Sequence, residues 1–340
     1  MALELAREVA TASDVAHRLH QRVVEDMAQR SGSGLHRLAV ATAAATFALL
    51  FLGGLVTSTG SGLAVPDWPL SFGRVFPPMV GGVLFEHGHR LAAAAVGGLT
   101  LVLALWTVVG DARPGVRALG VLALLAVVLQ GVLGGITVLY KLPLVVSVTH
   151  ACLAQTFFCL TVTLALVTSR AWSAQRPRRS PPGVAVLGGL TTAVVFSQLV
   201  LGALMRHMNA GLAIPGFPLA FGRLFPPLVT PYIAVHFAHR VGALVVAVAV
   251  GGTAVHVLRR TDDPWVRRPA LLAAGLVVLQ VSLGALTIWS RRAVLPTTTH
   301  VVVGAALLAT CLALTLRATR VTVVQPRTFE PAGVRRRVLA

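Results

Sequence analysis

Of 340 residues, 56% are hydrophobic and only 12% are charged, and the mean hydropathy is +0.80. A soluble core could not absorb that much apolar side chain, so the composition predicts an integral membrane protein. The formal charge of +18 then reads as membrane topology and contact with anionic lipid, and nucleic-acid binding is not needed to explain it.

Residues 1–36 mix charged and apolar side chains, with Leu5, Val9, Val15 and Leu19 beside Glu4, Arg7, Glu8 and Arg18. They read as an amphipathic cytoplasmic segment, since a signal peptide would need an unbroken apolar core. Eight stretches then approach the roughly 20 apolar residues that cross a bilayer: 37–57, 84–109, 118–139, 144–168, 184–204, 232–257, 270–289 and 297–317. The fold expected is all-α, with eight transmembrane helices as two parallel pseudo-symmetric four-helix bundles. Residues 37–169 form the first half, 170–183 a cytoplasmic linker, 184–318 the second half and 319–340 a basic cytoplasmic tail. Segments 111–117, 169–183 and 258–269 carry ten arginines, whereas 58–83, 140–143, 205–230 and 290–295 carry six Lys or Arg over a greater total length. The arginine-rich set is expected on the cytoplasmic side, with both termini. Cys152, Cys159 and Cys311 fall inside spans, read as small apolar residues, and show no zinc-type spacing.

The halves are copies. GLAVPDWPLSFGRVFPP at 62–78 matches GLAIPGFPLAFGRLFPP at 211–227 in 12 of 17 positions, and LQGVLGGITV recurs as LQVSLGALTI. Four helices per repeat is an even number, so both repeats enter the membrane from the same side.

An offset of 150 residues carries His89 onto His239 and His150 onto His300. Intramembrane histidines are expensive facing lipid and normally point inward to a partner or ligand. Each of the four lies about 10 Å below the outer surface at 1.5 Å per residue. Two imidazoles are too few for a closed zinc or copper site, whereas a haem supplies its own four equatorial nitrogens and asks for one or two axial ligands. Two haem sites toward the outer face are therefore expected. His256, His36, His17 and His20 read as hydrogen-bonded or solvated residues.

The first half reads FEHGHR and the second VHFAHR, so Glu86, three residues before His89, is replaced by His236. A carboxylate there can act on a bound macrocycle or complement the helix N-terminus, and spacing does not choose between the two. Arg74 and Arg223 in the outer loops, and Arg90 and Arg240 after the histidines, are candidates to meet haem propionates or to snorkel to the interface. Trp68, Phe72 and Phe76, with Phe217, Phe221 and Phe225, read as interfacial caps. Gln130 and Gln280 read as interhelical hydrogen bonds, and Asp67, matched by Gly216, as a mark of the first half.

Taken together, the eight helices in two halves, the G-S-G-L-A-x-P-D-W-P-L loop, E-x-x-H-R on the second helix and T-H on the fourth and eighth resemble the haem A synthase family of cytochrome oxidase assembly, over about residues 38–318. The resemblance implies an oxidoreductase of the cell membrane. It would convert the C8 methyl of haem O to the formyl group of haem A by successive hydroxylations, with molecular oxygen or water as oxygen source. It places substrate haem O between His89 and His150 beside the catalytic Glu86, and a haem b cofactor between His239 and His300. Membrane lipid, an electron donor, the haem O synthase (a farnesyltransferase) and a second copy are the further partners it suggests. Many bacterial members carry two cysteines in the first outer loop, where this chain has Val65 and Ser71. The alternative on the same four histidines is a diheme b-type electron carrier, which would have no use for Glu86 and would place its haems toward opposite faces. A transporter would break its spans in mid-membrane, but the prolines here gather at span ends.

Overall fold

Proline, aspartate and threonine mark where the helices begin. Pro114, Pro231 and Pro264 stand in the first turns of three of them, where no helical partner exists for the missing N–H. Asp263 and Thr230 cap two of these by accepting from the backbone N–H of Trp265 at 3.0 Å and of Ile233 at 3.3 Å. The computed structural model describes residues 33–174 and 182–320. Its helices are α1 (Ser33–Ser58), α2 (Gly82–Gly110), α3 (Pro114–Leu139), α4 (Leu144–Val167), the short α5 (Arg170–Ala174), α6 (Val184–His207), α7 (Pro231–Arg260), α8 (Pro264–Trp289) and α9 (Val294–Thr319). All but α5 are long and apolar enough to cross a membrane, and no strand forms among the described residues. The chain is thus an all-helical, multi-pass membrane protein. The first span starts four residues earlier than its apolar run, because Ser33 to His36 are already helical. Most of the amphipathic N-terminal segment, residues 175–181 of the linker and the basic tail after Arg320 lie outside the described residues.

Each set of four long helices has its own core. Leu35 and Ala39 of α1 pack with Val96 and Leu103 of α2, Val116 and Ala123 of α3, and Phe157 and Leu164 of α4. In the second set, Val195, Val246, Val250, Val277, Leu307 and Cys311 form the corresponding cluster. Between the two, Phe158 of α4 meets Ala305 and Ala309 of α9. The small alanines let these helices approach closely, which is how helices associate when lipid offers no hydrophobic drive.

At the end of the helices away from the long loops, arginines satisfy exposed backbone carbonyls. Pro269 inside α8 has no N–H, so the Trp265 carbonyl one turn back lacks its helical donor. Arg317 of α9 donates to that carbonyl at 3.1 Å, with its guanidinium 4.5 Å above the Trp265 ring. Arg113 likewise donates to the Val167 carbonyl at the end of α4, at 2.8 Å. Trp265 also touches Trp172 of α5, ring centroids 6.2 Å apart, and Arg320 lies over Trp172. The linker end of the first set is thereby fastened to the second.

Candidate functional site

His89, His150, His239 and His300 lie in the second or third turns of α2, α4, α7 and α9. The long loops 59–81 and 208–230 lead into α2 and α7, and the short turns 140–143 and 290–293 lead into α4 and α9, so all four imidazoles lie near the starts of their helices. Glycine sets how they sit. A Cβ on Gly53 of α1 would come within 3.0 Å of the His89 ring, and one on Gly202 of α6 within 3.0 Å of His239. Gly134 and Gly284 stand 3.3 Å from His150 and His300 on the same test. Each imidazole thus lies flush against the backbone of a neighbouring helix.

Glutamines orient three of the rings. Gln130 Nε2 donates to the His150 carbonyl at 3.0 Å and lies 3.3 Å from its Nε2. Gln198 Nε2 donates to the His239 carbonyl at 2.8 Å and lies 3.1 Å from its Nδ1. The Gln280 carbonyl faces His300 Nδ1 at 3.1 Å. Gln130 and Gln280 are therefore interhelical bonds that act on the histidines. Gln198 was not apparent in the repeat, because its counterpart is Leu49. His89 accordingly lacks the glutamine that His239 has, and its Nδ1 is enclosed without a partner, as is that of His150.

The His239 and His300 ring centroids are 6.5 Å apart, at 72°. Two metal–nitrogen bonds of about 2 Å each, added to the ring radii, would put two imidazoles on one metal at roughly that separation. Among the described residues no three His, Cys, Asp or Glu side chains converge, so the protein offers paired single ligands. This donor set, with the enclosed and unpartnered Nδ1 atoms of His89 and His150, fits a haem.

The loops are latched to the helix that follows them, and here the halves differ. Glu86 is buried, accepting from the Val65 N–H at 2.9 Å through Oε2 and from Arg90 at 2.6 Å through Oε1. Arg90 also donates to the carbonyls of Asp67 at 2.8 Å and Leu70 at 2.9 Å. In the second half His236 Nδ1 accepts from the Ile214 N–H at 3.2 Å, and Arg240 donates to the Ile214 carbonyl at 2.8 Å. The structure therefore turns Arg90 and Arg240 to the loops, a use that snorkelling or propionate binding did not anticipate. Arg74 and Arg223 stand exposed on tight turns, where each exchanges both backbone hydrogen bonds with Ser71 or Ala220.

Val65 and Ser71 of the first loop are fully buried. Ser71 Oγ lies 2.8 Å from Nδ1 of the buried His87. The second half has Ala220 and Phe237 at these places, and Phe237 packs edge-on to Phe225. Trp68 rests against Gly135 of α3, and Phe217 meets Trp289 at 6.0 Å. Asp67 accepts from the N–H of Phe72 at 2.7 Å and of Gly73 at 2.8 Å. These bonds, that to Gly73 foremost, hold its carboxyl below the ordinary carboxylate range. His256 lies 3.0 Å from the Pro182 carbonyl, and His36 lies 3.4 Å from Thr168 Oγ1. His17 and His20 are outside the described residues.

Sequence reasoning missed two neighbours at the end of α6. Arg206 donates to the Gly54 carbonyl at 2.8 Å and to Ser58 Oγ at 3.0 Å, both on α1. His207 falls within electrostatic reach of His150. Side chains of the second half thus approach the first pair. The signal available in the sequence was their position where the repeat has Thr57 and Ser58.

Comparison with known proteins gives a family match and several similar chains. The family model described as cytochrome oxidase assembly protein matches residues 80–312. The haem A synthase of Symbiobacterium thermophilum is 36% identical over 265 residues, 74% of this chain and 85% of that protein. That of Shouchella clausii is 32% identical over 223 residues, 63% of this chain and 73% of that protein. The Geobacillus kaustophilus protein of the same name is 30% identical over 262 residues, covering 73% and 81% of the two chains.

Proposed function

The chain belongs to the cytochrome oxidase assembly family, and we infer from that premise that it is a haem A synthase whose two histidine pairs do different work. As an enzyme of haem A biosynthesis it oxidises the C8 methyl of haem O to a formyl group by successive hydroxylations. Haem O, as substrate, is held in the first half between His89 and His150. A haem b held by His239 and His300 would supply one-electron redox exchange in the second half. With molecular oxygen as the source of the oxygen atom, a membrane electron donor supplies the two electrons that reduce the second oxygen atom to water in each hydroxylation. With water as the source, the two electrons leave the substrate and a membrane acceptor takes them. The haem O synthase is the partner that delivers the substrate.

The observation that carries this division is the exchange of Glu86 for His236. Both accept the same loop N–H, from Val65 and from Ile214. His236 does so without a carboxylate, so anchoring the loop does not by itself call for one. The carboxylate of Glu86 therefore does something more in the first half, beside His89. On this reading Glu86 takes up and returns protons as the substrate is oxidised, while Arg90 balances its charge. His89 and His150 orient the substrate, and the latched loop excludes water above them. The arginine distribution supports a reading with the haem sites toward the outer face of the cell membrane and both termini in the cytoplasm. Arg74 and Arg223 are left as the loop cations that a propionate can meet.

The deciding experiment is pyridine haemochrome and mass analysis of the haems that copurify with the protein from cells making haem O. Haem O or haem A beside haem b is expected. Haem b alone at both sites would favour the diheme carrier, and a preparation with no Soret band would overturn both readings.

A further inference from the structure

One stretch of α1, from Gly53 to Ser58, lies against the surroundings of both histidine pairs. Gly53 is flush with the His89 ring, which a Cβ there would meet at 3.0 Å. Its neighbour Gly54 is flush with Thr298 of α9, whose Cγ2 a Cβ would likewise meet at 3.0 Å. Thr298 stands two residues before His300. A single helix, about 10 Å across, therefore separates His89 from the turn of α9 that leads to His300.

Arg206, in the last turn of α6, ties that stretch down. Its Nη2 donates to the Gly54 carbonyl at 2.8 Å and to Ser58 Oγ at 3.0 Å, and Ser58 Oγ also accepts from Thr298 Oγ1 at 2.9 Å. Three helices thus meet in one hydrogen-bonded knot. The charge lies at the C-terminal ends of α1 and α6, where the helix dipole favours a cation.

Packing alone does not call for this arginine. Phe158 against Ala305 and Ala309 already joins α4 to α9 through apolar contact. The Arg206 Nε is enclosed without a partner, which costs stability that an apolar side chain would not lose. The repeat has no copy of the knot either: Ala203, Val148 and Thr57 stand where Gly54, Thr298 and Arg206 would be matched. What the knot adds is direction. Apolar contact is non-directional, whereas three hydrogen bonds fix the rotation and height of α1 against α6 and α9.

We propose that Arg206 is a positioning residue for the reaction, which through Gly54, Ser58 and Thr298 fixes the first haem site against the second and so sets how fast an electron passes between them. The proposal rests on the reading of both histidine pairs as haem sites. In each passage one iron loses the electron that the other gains, and the membrane donor or acceptor resets the second-half haem.

The test uses the full-length protein purified with haem A in the first site and haem b in the second, since the formyl group separates their absorption bands. Wild type, Arg206→Gln, Arg206→Lys, Thr298→Val and Gly54→Ala are compared. Haem content and the absorption spectrum of each haem report whether each site is intact. The Soret circular dichroism couplet reports the distance and angle between the haems without turnover, and flash photoreduction gives the rate at which they share an electron. Arg206→Gln and Gly54→Ala should keep both haems and both spectra, alter the couplet and slow electron sharing roughly ten- to a hundredfold, as displacements of about 1 Å can. Thr298→Val should act in the same direction more weakly, and Arg206→Lys should recover part of the rate. A wild-type couplet and rate in Arg206→Gln and Gly54→Ala would overturn the proposal. Loss of a haem from Arg206→Gln would do so as well, because the arginine would then hold a site together and not set the spacing of two intact ones. Should Arg206→Gln not accumulate, Gly54→Ala decides by the same measures. Failure of the two-haem reading would look different, since the wild-type protein itself would lack one of the two haems.

Discussion

The first and second halves hold their histidines alike and furnish the surroundings differently. Around the first pair the loop contacts are polar or charged: Glu86 with Arg90, Ser71 with His87, and Asp67 with two backbone amides. Around the second, His236, Ala220, Phe237 and Gly216 take those places. A duplicated ligand frame can thus diverge in function while its backbone is kept, since chemistry is set by what stands one turn away from the ligands.

Breaking the frame should have the largest effect. His239→Ala or His300→Ala is expected to abolish the low-spin haem b spectrum and with it haem A production, whereas His89→Ala should leave that spectrum in place. An unchanged spectrum in both second-half variants would remove the cofactor assignment. The next contrast concerns the substituted position itself. Glu86→Gln keeps an oxygen for the Val65 amide and removes the charge, and should lower haem A formation about 10²- to 10⁴-fold with haem still bound. His236→Gln is expected to have a far smaller effect, and normal haem A in cells that depend on the Glu86 variant would rule out its proton-handling role.

Smaller effects sharpen the comparison. Gly53→Ala and Gly202→Ala place a methyl within 3.0 Å of His89 or His239, an overpacking worth about 1–3 kcal/mol. The Gly202 variant should weaken the low-spin haem signal, and the Gly53 variant should reduce bound haem O in the mass analysis. Gly134→Ala and Gly284→Ala, whose methyl would stand 3.3 Å from His150 or His300, should be milder. A reversed order would mean that the glycines do not set the ring positions. The smallest effect is one of pH. Asp67 is held below its ordinary range by the Gly73 and Phe72 amides, so its contribution to the loop turn is present above the usual carboxylate range. It is lost as pH falls through the lowered value. Proteolysis of loop 59–81 should therefore rise on acidification while loop 208–230, with Gly216, responds less. Asp67→Asn should flatten that difference, and an equal response of both loops in the wild type would refute it.

The sequence made the spans, the repeat and the four histidines readable because apolar run length and in-register repetition survive as letters. Contacts across helices do not. Glu86 was visible one turn from His89, yet its bond to the Val65 amide joins a loop to a helix 21 residues later. Arg90 was assigned to an interface or a propionate because nothing in its neighbours tells that it faces loop carbonyls. Arg206 was absent from every motif: it is a departure from the repeat, and comparison of matching letters passes over what one half alone contains. Gln198 escaped for the same reason.

The two kinds of fastening described above differ in how much chain each needs. The loop latches at Arg90 and Arg240 join residues no more than 26 positions apart. The ties through Arg206 and Thr298 to Ser58 span 148 and 240 positions. During synthesis, each latch can close soon after its helix leaves the ribosome, but the seam between the halves can begin only after α6 has been inserted and is completed only with α9. Biogenesis of this protein is therefore expected to pass through a stage in which the earlier helices are already arranged and the later ones are still docking.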